Sequence, residues 1–202
     1  MHATERLSLD QAMNALPADT AHARTLFDRL RRVASIAPGA GVEEVPLGDG
    51  SCDVVHAKSA IEHVSDADAA FREAYRLLRP GGVFWFYTAS SLCPRQSEIR
   101  GFPAFGWYPD PVKRRIMRWA ARCRPELVGN TKRPAIHWFT PRKARRMLRD
   151  AGFSRVYDHW QLRDPADETG LRRIAVALVR AAPPFKLLAD ALVPGCSYAA
   201  VK

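Results

Sequence analysis

The sequence predicts an α/β fold: a reduced open sheet of parallel strands, closed by a C-terminal antiparallel pair and carrying a helical, aromatic cap insert. Three observations predict it. Cys52–Ala57 (CDVVHA) and Val83–Thr88 (VFWFYT) are short apolar runs rich in β-branched and aromatic residues, as suits strands buried on both faces. Between them, Asp66–Leu78 sets Ala67, Ala70, Phe71, Ala74, Leu77 and Leu78 at helical spacing, with Ser65 available as a cap and Pro80-Gly81-Gly82 as a stop. Strand, helix and strand with short joints make a right-handed βαβ unit, so the two strands should lie parallel. Finally, Phe153–Leu162 and Leu171–Arg180 read as strands joined by a turn at Asp164-Pro165-Ala166-Asp167, which suits an antiparallel pair.

Taken in order, the chain of 202 residues fits one domain with an appendage. Leu7–Ile36 reads as one or two helices, with Leu26, Leu30 and Val33 on one stripe and Pro38-Gly39 ending the run, so residues 1–40 form an N-terminal helical segment. Another reading makes Val33–Ala37 a strand and Gly39-Ala40-Gly41 a ligand-cradling loop. It is disfavoured, because Arg31-Arg32 makes a poor buried strand start and no helix-length segment follows Gly41. After the βαβ unit, residues 89–140 form an insert that interleaves seven Phe, Trp and Tyr residues with prolines. Within it Val112, Ile116, Trp119, Ala120 and Cys123 should make the buried face of a helix, opposite Arg114, Arg115, Arg118 and Arg122. Thr140 and Pro141 open a helix whose apolar stripe is Ala144, Met147, Leu148 and Ala151. Pro183-Pro184 starts a last short helix, Phe185–Leu192, and the tail VPGCSYAAVK takes no assignable role.

The stretch LGDGSCDVVHAKSAIEHVSDADAAFREAYRLLRPGGVFWFY resembles the middle of a class I S-adenosylmethionine-dependent methyltransferase of the broad type 11 kind. The matches are Asp49, Ser51, Asp53, Val54, Val55, Glu62, His63, Leu78, Pro80, Gly81 and Gly82, in the order and spacing of that family. The resemblance extends loosely over Val42–Arg180 and implies a Rossmann-like methyltransferase sheet. It also implies S-adenosyl-L-methionine as cofactor, and Asp49, Ser59, Ala60, Glu62 and His63 as the residues that touch it. His63 is the candidate general base, a role open to an imidazole near neutral pH. The insert after the fifth strand of that family commonly covers the acceptor pocket, which makes Trp107, Tyr108, His137 and Trp138 the candidate lining. Packing within the insert is the ordinary alternative for each aromatic, as helix capping is for His63.

The implied function is methyl transfer to a small-molecule or lipid-like acceptor. Two other readings stand beside it: a non-catalytic binding or partner module that has lost the cofactor-binding half, and a binder of anionic surfaces or nucleic acid. The first three strands of the family sheet, with their glycine-rich loop and ribose-binding carboxylate, have no counterpart in the reading of the sequence. Cofactor binding at millimolar dissociation constants, or none at all, is therefore expected. Cys52–Ala57 would then be an unpaired sheet edge, inviting a homodimer or burial by the N-terminal helix.

Composition narrows the classes. The apolar share of 47% is ample for a core and excludes wholesale disorder. Four scattered cysteines without a C-x-x-C pair argue against a disulfide framework or zinc site, and six histidines show no ligand spacing, so no metal is expected. The opening MHATERLSLD lacks an apolar run, so a secretory signal is not expected and a cytoplasmic location is. The net charge of +10 concentrates in Val112–Arg149, with thirteen Lys and Arg against Glu126 alone. Such a cluster suits an anionic substrate or membrane surface; a solvated face is the plain alternative, and nucleic acid the less favoured partner.

Overall fold

The computed structural model describes residues 33–36, 45–96, 98–129 and 133–202. Its centre is a five-stranded sheet in the order β1-β2-β3-β5-β4. The strands are β1 (Val33–Ile36), β2 (Cys52–Lys58), β3 (Leu78–Ala89), β4 (Arg155–Asp158) and β5 (Gly195–Val201). The helices are α1 (Ala67–Leu77), α2 (Asp110–Cys123), α3 (Pro141–Asp150), α4 (Gly170–Ala181) and α5 (Pro183–Leu192). β1, β2 and β3 run parallel, with Ile36 opposite Ala57 and Ala57 opposite Phe86. β5 is antiparallel to both β3 and β4. The α/β class and the parallel βαβ unit thus stand as the sequence predicts.

The unit forms because every local signal agrees. Ala67, Ala70, Phe71, Ala74 and Leu77 bury one stripe of α1 against alternate residues of the sheet, Val55, Ala57, Phe84 and Phe86, joined by Leu148 and Tyr198. The opposite sheet face is smaller: Val54, Val83, Trp85 and Ala199 pack with Leu162. The cap of α1 is Asp66 rather than Ser65, its carboxylate accepting the Ala69 N–H at 3.0 Å. α1 passes straight into β3 at Leu78, and Pro80-Gly81-Gly82 forms an irregularity in the pairing with β2 rather than a separate turn. Gly82 is required there, because a Cβ would stand 3.0 Å from the Asp53 carbonyl oxygen.

Four expectations are corrected. Val33–Ile36, read as the end of a helix, is a strand, selected by its parallel pairing with Val54–Ala57; the remainder of the expected helix Leu7–Ile36 lies outside the described residues. That pairing also covers Cys52–Ala57, so this strand is no exposed edge and offers no homodimer contact. Leu171–Arg180, read as a strand, lies in α4, and the tail left without a role supplies the antiparallel strand instead. Gly195 opens that strand directly under the Tyr87 ring, where a Cβ would overlap the phenol oxygen, a severe clash. Lastly, α2 is rotated from the expected face: it buries Lys113, Met117 and Ala120, while Val112, Trp119 and Cys123 are exposed. The buried Lys113 ammonium donates to the Gly106 carbonyl at 3.2 Å, pairs with Asp110 at 3.0 Å and sits 4.6 Å from the Trp138 ring centre. Those partners offset the desolvation that otherwise keeps lysine outside.

Candidate functional site

The site is built where β2 and β3 end. After Lys58 the chain turns at Ser59, which takes a left-handed φ of 48° and donates its N–H to the Tyr87 carbonyl at 2.9 Å. That turn delivers Ala60, fully buried, and a short 3₁₀ turn, Ile61–His63, to the carboxyl end of the parallel strands. In open α/β sheets ligands bind at that end.

Glu62 is the chemical centre of this rim. It is 3% exposed, and its carboxylate accepts the Thr88 hydroxyl at 3.1 Å. Burial, the largest cause, pushes its pKa up to about 7; the bond from Thr88 opposes this and the Glu98 charge adds to it. Its main-chain carbonyl accepts two more bonds, from Ile136 N at 2.8 Å and His137 N at 3.2 Å. Side chains cross in both directions over this tie. The His63 ring bonds to the main chain of Arg133 and Pro134, and the His137 ring to that of Ser65 and Val64. Desolvation lowers the pKa of both histidines, leaving them neutral imidazoles at pH 7. Among the described residues, the buried His63 Nδ1 and His137 Nε2 have no hydrogen-bond partner.

Replacing Glu62 by Gln tests this environment. A carboxyl with pKa near 7 folded and 4.5 unfolded binds more protons when folded, so its contribution to stability is lost as pH rises from about 4.5 through 7. Gln keeps an acceptor for Thr88 and does not ionise. The expected result is little change at pH 5 and a gain of about 2–3 kcal/mol at pH 8. Denaturant midpoints of both proteins across that window measure it; parallel profiles would show that Glu62 stays charged.

The other candidates separate. Asp49 precedes β2, is 81% exposed and pairs with Arg76 at 2.5 Å. It stands at the opposite end of a seven-residue strand from Ser59, roughly 20 Å away at ~3.3 Å per residue. Trp107 is 66% exposed, its indole N–H donating to the Leu92 carbonyl at 2.9 Å. Tyr108 packs on Phe105, and Trp138, 1% exposed, lies in the core of the insert with Phe105, Met117 and Ala120. The structure therefore brings Ser59, Ala60, Glu62, His63 and His137 together, and leaves Asp49, Trp107 and Trp138 outside that group. Thr88, Glu98 and Tyr87 were missed. A lone Thr ending an apolar strand is the one signal the sequence offers for Thr88.

The basic segment is partly neutralised, by Asp110 and Asp158 from outside its span and by Glu126 within it. Lys113 and Lys143 meet Asp110, Arg145 meets Asp158 at 3.2 Å, and Arg124 meets Glu126. Arg115, Arg118 and Arg122 remain exposed on α2. Among the described residues no group of three or more His, Cys, Asp or Glu could hold a metal ion.

Residues 10–86 match the family model described as a methyltransferase domain. The chain is 32% identical over 119 residues to a Xenopus laevis mitochondrial 2-methoxy-6-polyprenyl-1,4-benzoquinol methylase, covering 58% of this chain and 36% of that one. It is 41% identical over 86 residues to a malonyl-[acyl-carrier protein] O-methyltransferase of a Methylovorus species, covering 41% and 28%. A ubiquinone/menaquinone biosynthesis C-methyltransferase of Nitrobacter hamburgensis is 30% identical over 142 residues, covering 70% and 53%. The chain thus spans about half, or less, of the length of these curated relatives. Among solved structures, an S-adenosylmethionine-dependent methyltransferase from Mesorhizobium loti superposes with a TM-score of 0.44 at 20% identity, over 81% of this chain and 67% of that one. The resemblance to the S-adenosylmethionine-dependent methyltransferases stands on the family match and the relatives.

Proposed function

We propose that the chain is an S-adenosylmethionine-dependent methyltransferase acting on a small, lipid-like acceptor. The observation that carries the reading is the convergence of Ser59, Ala60, Glu62, His63 and His137 at the carboxyl ends of parallel strands. The residues fit a polar cofactor there. β1 and β2 end side by side, and the rim holds two buried imidazole nitrogens that lack partners among the described residues. The turn at Ser59 and the buried Ala60 would hold one side of the cofactor. When bound, S-adenosylmethionine supplies a sulfonium methyl ready for in-line displacement.

The protein's work is then orientation and one proton. Holding the acceptor's nucleophile in line with the methyl supplies much of the rate. His63, neutral at pH 7, would accept at Nδ1 the proton shed by the acceptor's nucleophile and later release it to solvent. Glu62 holds the crossing segment 133–137 and sets the polarity of the rim. A lipid-like acceptor is supported by the polyprenyl benzoquinol in one relative's name and the quinones in another's.

The test is transfer of labelled methyl to an alkylated hydroquinone, with cofactor at millimolar concentration. Turnover is expected, and His63→Gln should lower kcat by about 10²–10⁴ while leaving the acceptor KM within a few-fold. An absence of transfer by the intact chain would instead support the non-catalytic binding module.

A further inference from the structure

The helices that close the sheet expose what amphipathic helices ordinarily hide. α4 buries Val176 and Val179 and turns Leu171, Ile174 and Leu178 outward, at i, i+3 and i+7. α5 repeats the spacing with Phe185, Leu188 and Leu192, all exposed. Leu171 is 84% and Leu192 70% exposed. The opposite side of α5 is what fixes it to the body. Lys186 pairs with Asp158 at 3.3 Å and Asp190 at 2.9 Å, and the Trp160 indole donates to Asp190 at 2.6 Å. Two packed helices therefore each present an apolar stripe to solvent, a kind of surface that marks a docking face.

Its place in the fold follows from strand direction. β4 and β3 are both antiparallel to β5, so Asp158 lies at the same end of the sheet as Ala89 and Lys58. Gly195 pairs with Ala89 and returns the chain to that end. The hairpin thus leaves from and returns to the rim that carries Glu62 and His63.

Charge selects the occupant. Along α4 and α5 the exposed cations are Arg172, Arg173 and Arg180, with Lys186 and Asp190 paired at the body, on a protein of net charge +10. A second copy seated on this face would bring one protein of net charge +10 against another. An anionic lipid surface complements the arginines, and apolar stripes flanked by Arg and Lys are the pattern of helices that lie in a bilayer interface. Among the described residues no helix is long and apolar enough to cross a membrane, so the mode is surface seating.

We propose that the α4–α5 hairpin seats this protein on anionic membranes, with the rim of the candidate site held at the lipid surface. The consequence for the acceptor rests on the function proposed above: a lipid-dissolved acceptor would reach His63 from the bilayer rather than through bulk water. The surface itself is independent of catalysis.

Co-sedimentation of the full chain with phosphatidylcholine vesicles, with and without about one third phosphatidylglycerol, tests it without cofactor or acceptor. The protein should pellet with the anionic vesicles, and binding should weaken several-fold between roughly 0.05 and 0.5 M salt. Ile174→Ser with Leu188→Ser, both on exposed positions, should cut binding at least about tenfold with an unchanged circular dichroism spectrum and melting temperature. Equal binding by that variant, equal binding to neutral vesicles, or no binding at all would each overturn the proposal. So would a concentration-dependent dimer in lipid-free sedimentation that the double variant abolishes, which would assign the face to a second copy. Because no turnover is measured, failure of methyl transfer and failure of membrane seating are told apart.

Discussion

Titrated into the 202-residue chain, S-adenosylmethionine is expected to bind with a millimolar dissociation constant. That corresponds to about −4 kcal/mol, where a site with full polar complement reaches micromolar affinity near −8 kcal/mol. The shortfall has a physical source. A ribose needs a carboxylate for its two hydroxyls, and hydrogen bonds to charged groups contribute about 1.5–3 kcal/mol each. Among the described residues, Glu62 at the rim is bound to Thr88, and Asp49 is held by Arg76 at the far end of β2. β1 supplies a strand end beside β2 that the reading of the sequence left empty. Isothermal titration calorimetry decides the matter, and micromolar affinity would show that the grip comes from elsewhere in the chain.

Phe71→Ala should remove about 3–5 kcal/mol of folding stability. The ring is fully buried on α1 and meets three others, with centroids 5.8 Å from Phe84, 5.2 Å from Phe86 and 6.1 Å from Phe139. It joins the helix, the central strand and the segment leading into α3, so its loss leaves a cavity that no single neighbour can fill. Against a total stability of about 5–15 kcal/mol, that is a large share. Denaturant unfolding measures it, with Leu171→Ala on the exposed stripe as a control expected within about 0.5 kcal/mol of the parent. A Phe71→Ala loss under about 1 kcal/mol would mean that the aromatic cluster is not the centre of the fold.

What the sequence made legible was local. β2, α1 and β3 were readable because pattern, cap and joint agreed within some forty residues, and α3 because Thr140 and Pro141 announce its start; the Thr140 hydroxyl accepts the Lys143 N–H at 3.1 Å. What escaped was settled by distant partners. IAVALV within α4 is apolar on both sides, so period alone does not separate helix from strand. The strand position it was given is filled instead by CSYAAV, whose small residues are weak strand formers until set between β3 and β4. β1 likewise becomes a strand through its pairing with β2. Lys113 reads as a surface cation because Trp138 and the Gly106 carbonyl, which shelter it, lie seven or more residues away. The site follows the same rule. Glu62 and His63 were visible in a motif, but Thr88 lies 26 residues from Glu62, and no spacing rule reaches it.

The tie between residues 60–65 and 133–137 has a consequence for how this site can change over generations. Its two bonds run from main-chain nitrogens of Ile136 and His137 to a main-chain oxygen of Glu62. Any residue can stand at position 62 and still offer that oxygen, and any residue but proline can stand at 136 or 137 and still donate. The scaffold and the buried carboxyl therefore share one residue without sharing atoms. Selection is free to trade the acid for an amide, a hydroxyl or a hydrocarbon, and so to explore new acceptors, without loosening the frame that holds the rim together.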